Sequence, residues 1–162
     1  MTCPVCGYAF AVAGPDASGR DATLVDCAHC GKFGLTGSVV ASLPTLLAQR
    51  DAAPKLSHVF RKAHETGEKL VLDSYTAEAI LQNPLPRPRE QADLLVQWLA
   101  TNSPGPGEPL ELNYDLHGAI VGAKSHTGFS MLIGHLLQTD LVVGPHQTYL
   151  SGEAGAHVAL TF

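Results

Sequence analysis

Cys3, Cys6, Cys27 and Cys30 are the four cysteines of this chain, and they stand in two matched pairs, Cys3-Pro4-Val5-Cys6-Gly7 and Cys27-Ala28-His29-Cys30-Gly31. A C-x-x-C turn aims two sulfurs at one ion, and the gap between the pairs is long enough for a short β-hairpin. That spacing is the pattern of a tetrahedral four-cysteine zinc site. One structural Zn²⁺ per chain, held by Cys3, Cys6, Cys27 and Cys30, is therefore expected. Gly7 and Gly31 follow the second cysteine of each pair, where the chain must bend sharply, often with positive φ. Backbone N–H groups of the turns would then donate to the thiolates. A rubredoxin-like iron site has the same ligand spacing and stays open as an alternative. Disulfides are disfavoured, because Met1-Thr2-Cys3-Pro4 does not read as a signal peptide. A thioredoxin-like redox motif is disfavoured as well, because neither pair has a βαβ setting. His29, inside the second pair, is expected to be an exposed spacer.

Four thiolates fill a tetrahedral site and leave no position for water or substrate, so the centre reads as structural. Other chemistry is not signalled. The eight histidines are scattered, and His64-Glu65-Thr66-Gly67-Glu68 lacks the second histidine of H-E-x-x-H. There is no G-x-S-x-G, no phosphate loop and no dinucleotide fingerprint. Every cysteine is committed to metal. The expectation is that the protein is not an enzyme.

The elements that must position the cysteines follow from the intervening residues. Residues 8–12 and 22–27 read as two short strands, joined through turn chemistry at Gly14-Pro15-Asp16 and Ser18-Gly19. Residues 32–36 read as a third strand. Some 37 residues bury too little apolar surface to fold alone, and a zinc-binding energy of ~10–16 kcal/mol would close that gap. Residues 38–50 read as a helix with Val39, Val40, Leu43, Leu46 and Leu47 on one face and Pro44 as a kink or a restart. Residues 56–66 form a clearer helix, residues 70–72 a short extended run, and residues 74–82 a helix capped by Asp73 or Ser74.

Asn83-Pro84-Leu85-Pro86-Arg87-Pro88 is a rigid break. After it come helix 89–102, strand 110–113, helix 115–124, helix 127–139 and two strands, 141–150 and 156–162, joined by Ser151-Gly152-Glu153-Ala154-Gly155. Helix–strand–helix–helix–strand–wing–strand is the order of a winged helix-turn-helix. The fold class expected is α+β: a four-cysteine zinc ribbon over 1–37, a helical connecting segment over 38–87 and a winged helix-turn-helix over 88–162.

The chain has 162 residues, 45% of them apolar, and a formal charge of −5. No apolar run approaches the ~20 residues of a membrane span, so a cytoplasmic protein without membrane partners is expected. Residues 1–89 carry nine Lys/Arg against eight Asp/Glu, whereas residues 90–162 carry Lys124 against seven acids. That balance argues against broad phosphate-backbone binding. In a DNA-reading winged helix the third helix enters the major groove. Its outward face here would be Thr127, Ser130, Met131, Gly134, His135 and Gln138. Without Lys or Arg, that face suits contact with a protein better than with DNA. The alternative nucleic-acid platform is the basic run Arg50, Lys55, Arg61, Lys62 and Lys69 together with the ribbon.

The stretches CPVCGYAF and CAHCGKFGLTG, the helix at 91–99 and GAIVGAKSHTGFSMLIGHLLQTDLVV together resemble a module of uncharacterised bacterial proteins. In these, a four-cysteine zinc ribbon precedes a helical segment and a winged helix. The resemblance spans most of the chain, and the cysteine pairs are its specific part. In such proteins the last strand often continues through Leu-Thr and a Gly-Trp pair into a further domain. Here Leu160-Thr161 is followed by Phe162. The resemblance thus implies either a module cut from a longer protein or a stand-alone version. It also implies a sensing, regulatory or assembly role, in stress or phage defence. The resulting expectation is a non-catalytic zinc module that recognises a macromolecule. Its favoured partner is a protein or a missing C-terminal domain, with a homodimer also open. The alternative is a small DNA-binding regulator.

Overall fold

The computed structural model describes residues 1–105, 108–144 and 156–161. They form a mixed α+β structure with six helices and two sheets among the described residues. The chain divides into two compact units, Met1–Leu85 and Pro86–Phe162, and the division falls inside the proline-rich stretch.

In the first unit, β1 (Val12–Pro15), β2 (Ala22–Cys27), β3 (Gly31–Thr36) and β4 (Val71–Leu72) form one sheet in that order. β1 and β2 pair antiparallel, Val12 opposite Asp26 and Pro15 opposite Thr23. β2 and β3 pair antiparallel from Ala22–Thr36 to Cys27–Gly31, and β4 joins β3 in parallel. The first strand lies later than residues 8–12. Cys3 N–H donates to Tyr8 O and Gly7 N–H to Cys3 O, which curls that segment into the first knuckle. Gly14 and Pro15, expected in the turn, lie in the strand instead. Pro15 is tolerated because β1 is an edge, where a missing N–H breaks no ladder bond. The turn falls after it: Asp16 Oδ1 accepts from Ser18 N–H at 2.9 Å, and Arg20 Nε lies 2.8 Å from Asp16 Oδ2.

Three helices complete this unit: α1 (Gly37–Leu47), α2 (Ala52–Glu65) and α3 (Ser74–Gln82). α1 runs through Pro44 without a restart, burying Val39 and Leu43, while Val40 is exposed. α2 begins a turn earlier than residue 56, since Pro54 sits in its first turn, where backbone N–H groups have no helical partner. Asp73 caps α3 by accepting from Thr76 N–H at 2.7 Å. The ribbon and the helices after it share one core, with Cys3, Val25, Phe33 and Leu35 packed among Val39, Leu56, Phe60, Leu72 and Ala77. The Phe33 and Phe60 rings stack at 4.1 Å between centroids.

The second unit holds α4 (Pro88–Asn102), β5 (Leu110–Leu112), α5 (Tyr114–Val121), α6 (His126–Gln138), β6 (Val142–Val143) and β7 (Ala156–Leu160). β7 lies between β5 and β6 and pairs antiparallel with both. Leu95 and Leu99 of α4 meet Phe129, Leu132, Ile133, Leu136 and Leu137 of α6, the stripe its periodicity predicts. α5 stops at Val121, short of residue 124, because Gly122 takes φ +67 and caps it. Asn113 and Ser125 cap α5 and α6 by accepting from Leu116 and Gly128 N–H. The expected wing, residues 151–155, and residues 145–150 of the expected strand lie outside the described residues.

Candidate metal centre

The two C-x-x-C turns lie at the same, open end of the β1–β2 hairpin, where Val12 pairs with Asp26, and the β2–β3 pairing at Cys27–Gly31 closes the second turn. All four sulfurs lie within 4.8 Å of one another. Cys3 and Cys30 Sγ are 4.0 Å apart, and Cys6 and Cys27 Sγ are 3.6 Å apart. A tetrahedral metal with metal–sulfur bonds of ~2.3 Å needs sulfurs ~3.8 Å apart, so the donor set fits such an ion. A disulfide needs ~2.05 Å, and all four cysteines are free thiols. Among the described residues this is the one group of three or more His, Cys, Asp or Glu that could hold a metal. Cys3, Cys27 and Cys30 are buried and Cys6 is half-buried.

The four sulfurs are close enough to couple one another's ionisation. Hydrogen bonding from Cys27, then from Cys30 and Cys6, pushes the Cys3 thiol far below the ordinary range. Cys27 and Cys3 drive Cys6 upward, while Cys27, Cys3, Cys6 and burial drive Cys30 upward. Cys27 falls to about 6: Cys3 raises it, and Cys30 and Cys6 together outweigh that. Two sulfurs thus favour the thiolate at the expense of the other two. A divalent cation removes this conflict and lets all four ionise. Backbone N–H groups support the sulfurs, Cys6 donating to Cys3, Tyr8 to Cys6 and Cys30 to Cys27. Gly7 and Gly31 have φ +77 and +81, so both knuckles turn through the left-handed region.

Helix α2 covers the second knuckle, a feature absent from the sequence reading. Ser57, 1% exposed, lies with its hydroxyl 3.3 Å from Cys30 Sγ, which is 0% exposed. Arg61 Nη1 donates to Ala28 O at 2.8 Å, and its Nε lies 2.9 Å from Glu65 Oε1. His64 packs on Gly31 so closely that a Cβ there would stand 2.5 Å from His64 Cβ. His29 is buried at 6%, contrary to the exposed spacer expected. Ser57, Arg61 and His64 stand at i, i+4 and i+7, one stripe of the helix. That spacing was the available signal. Charge conceals it, because Arg61 also belongs to the basic run expected to face nucleic acid.

Of the basic run, Arg50, Lys62 and Lys69 are exposed, Arg50 with its Nε 3.8 Å from Asp51. Arg61 is only 14% exposed in its side chain, and Lys55 Nζ donates to Leu81 O at 2.5 Å. On α6, Thr127, Met131, His135 and Gln138 are exposed, and Ser130 and Gly134 are half-buried, all opposite the buried stripe. Met131 is 71% exposed, and a Cβ on Gly134 would meet no atom of the described residues within 4 Å. His117 packs edge-on against Trp98, and its Nδ1 contacts Asn113, so it serves the core of the second unit. No helix among the described residues is long and apolar enough to cross a membrane. No protein-family model, curated protein or solved structure matches the chain.

Proposed function

We propose that this chain is a zinc-stabilised, non-catalytic module for recognising a macromolecule, with a protein as its partner. The observation that carries the metal part is the convergence of four cysteine sulfurs at tetrahedral spacing. Zinc is preferred to iron because the role required is structural and zinc brings no redox chemistry. A four-thiolate centre has no open ligand position, so it supplies fold rather than catalysis. The order of the second unit, with β7 between β5 and β6 and α6 packed on α4, supports a winged helix-turn-helix.

Recognition is assigned to the outer face of α6. An interior helix glycine costs about 1 kcal/mol relative to alanine, and among the described residues nothing crowds Gly134. Beside it, Met131 and His135 offer an apolar and an adaptable polar contact without a cation. DNA recognition through residues 50–69 is the weaker reading, because Arg61 and Lys55 are engaged within the fold.

A photoreactive side chain at Met131 or Gln138, compared with one at Lys62 or Lys69, separates the two in the native host. The proposal expects protein adducts from α6. Nucleic-acid adducts from Lys62 and Lys69 would overturn it, as would nanomolar, sequence-specific duplex binding at physiological salt. Lys62→Ala and Lys69→Ala are the clean variants for that arm, because Arg61 also braces the second knuckle.

A further inference from the structure

We infer that Ser57 is a positioning residue of the metal centre, coupling metal occupancy to the docking of helix α2; this rests on the zinc reading above. A metal carrying four thiolates has a net charge of about −2, and burying it requires donors on the sulfurs. Three backbone N–H groups meet Cys3, Cys6 and Cys27. Cys30 is the most buried of the four and faces the Ser57 hydroxyl at 3.3 Å.

In the contact observed, the Cys30 S–H donates to Ser57 Oγ; a metal bound at Cys30 takes the place of that proton, and the contact then persists only with the Ser57 O–H turned to donate. That bond ties α2 directly to a ligand of the ion. Arg61 adds a second tie, to the carbonyl of Ala28 between the two cysteines of the knuckle. Phe60 on Phe33 and His64 on Gly31 fix the helix along the same stripe. Two of these ties, from Ser57 and Arg61, end on the turn that holds Cys27 and Cys30, so a turn no longer fixed by the metal no longer holds them in place. Metal release therefore loosens α2, and loosening α2 speeds metal release. Helix α2 is part of the metal site rather than a neighbour of it.

The test uses the full-length chain loaded with cobalt(II), whose thiolate-to-metal charge-transfer bands report electron density on sulfur. Ser57→Ala keeps the volume and removes the donor. The expected result is a shift of the band to lower energy and at least ~10-fold faster metal transfer to a chelator, the scale of losing an outer ligand partner. Amide hydrogen exchange across α2 should rise in the same variant. A band present in the wild type and unmoved in Ser57→Ala, with unchanged release, overturns the inference alone. Absence of any cobalt–thiolate band in the wild type overturns the zinc reading and this inference with it. Should Ser57→Ala not fold, Arg61→Ala carries the test from the rim: faster release with an unmoved band is expected, and unchanged release refutes the coupling.

Discussion

Gly7→Ala and Gly31→Ala are chemically the same change at equivalent knuckle positions, yet they should differ sharply. Both glycines have positive φ, +77 and +81. Placing an L-residue in the left-handed region costs roughly 1–2 kcal/mol, so both variants pay that much. At Gly7 the new methyl meets nothing within 4 Å. At Gly31 it would stand 2.5 Å from His64 Cβ, 2.6 Å from Cγ and 2.9 Å from Cδ2. The nearest of these atoms is anchored to the α2 backbone and cannot swing aside. Overpacking of that kind typically adds 1–3 kcal/mol. Gly31→Ala is thus expected to cost about 2–5 kcal/mol and Gly7→Ala about 1–2. Urea unfolding of the zinc-loaded chain, followed by far-UV circular dichroism, gives both numbers. His64→Ala should rescue Gly31→Ala only in part, because it leaves the closest atom in place; His64→Gly should rescue more. Equal destabilisation by the two glycine variants would refute the packing of α2 on the second knuckle.

Asn113→Ala removes the cap of α5 and should cost about 1 kcal/mol in the second unit without changing zinc release, as read by Trp98 fluorescence and a chelator assay. Unchanged stability would mean that the cap bond contributes nothing. The Thr76 N–H holds the Asp73 carboxyl below the ordinary carboxylate range. A depressed folded-state pKa contributes stability above the unfolded value of about 3.9 and loses it as pH falls through the folded value. The Asp73 carboxyl carbon should therefore titrate in ¹³C NMR below other exposed aspartates. A midpoint at the ordinary value would remove the cap from the account of α3.

The cysteine pairs were legible because sulfurs that converge at metal-site distances need matched C-x-x-C turns, and the periodic stripe of α6 was legible because its core contacts recur at helical intervals. Residues 8–11 were misread as strand because apolar residues also suit a curled knuckle, and only the Cys3–Tyr8 backbone bond distinguishes the two. Helix α2 starts ahead of residue 56 because Pro54, which would break a helix interior, fits a first turn. His29 and Ser57 were missed for a deeper reason. Ser57 meets Cys30 across 27 residues of chain, and no local pattern encodes that approach. Arg61 showed the same limit: its charge suggested solvent, whereas its reach to Ala28 placed it inside the fold.

The central claim is that four thiolates hold one zinc ion and that the first 85 residues fold around it. The most direct measurement is elemental analysis of protein purified without added metal, combined with titration of reactive thiols before and after chelation. One zinc per chain is predicted, with the thiols protected until the metal is removed and four reactive thereafter; Cys27→Ser should lose the metal and unfold the ribbon. Metal-free protein whose four thiols react at once, with the same circular dichroism as the chelator-treated sample, would contradict it.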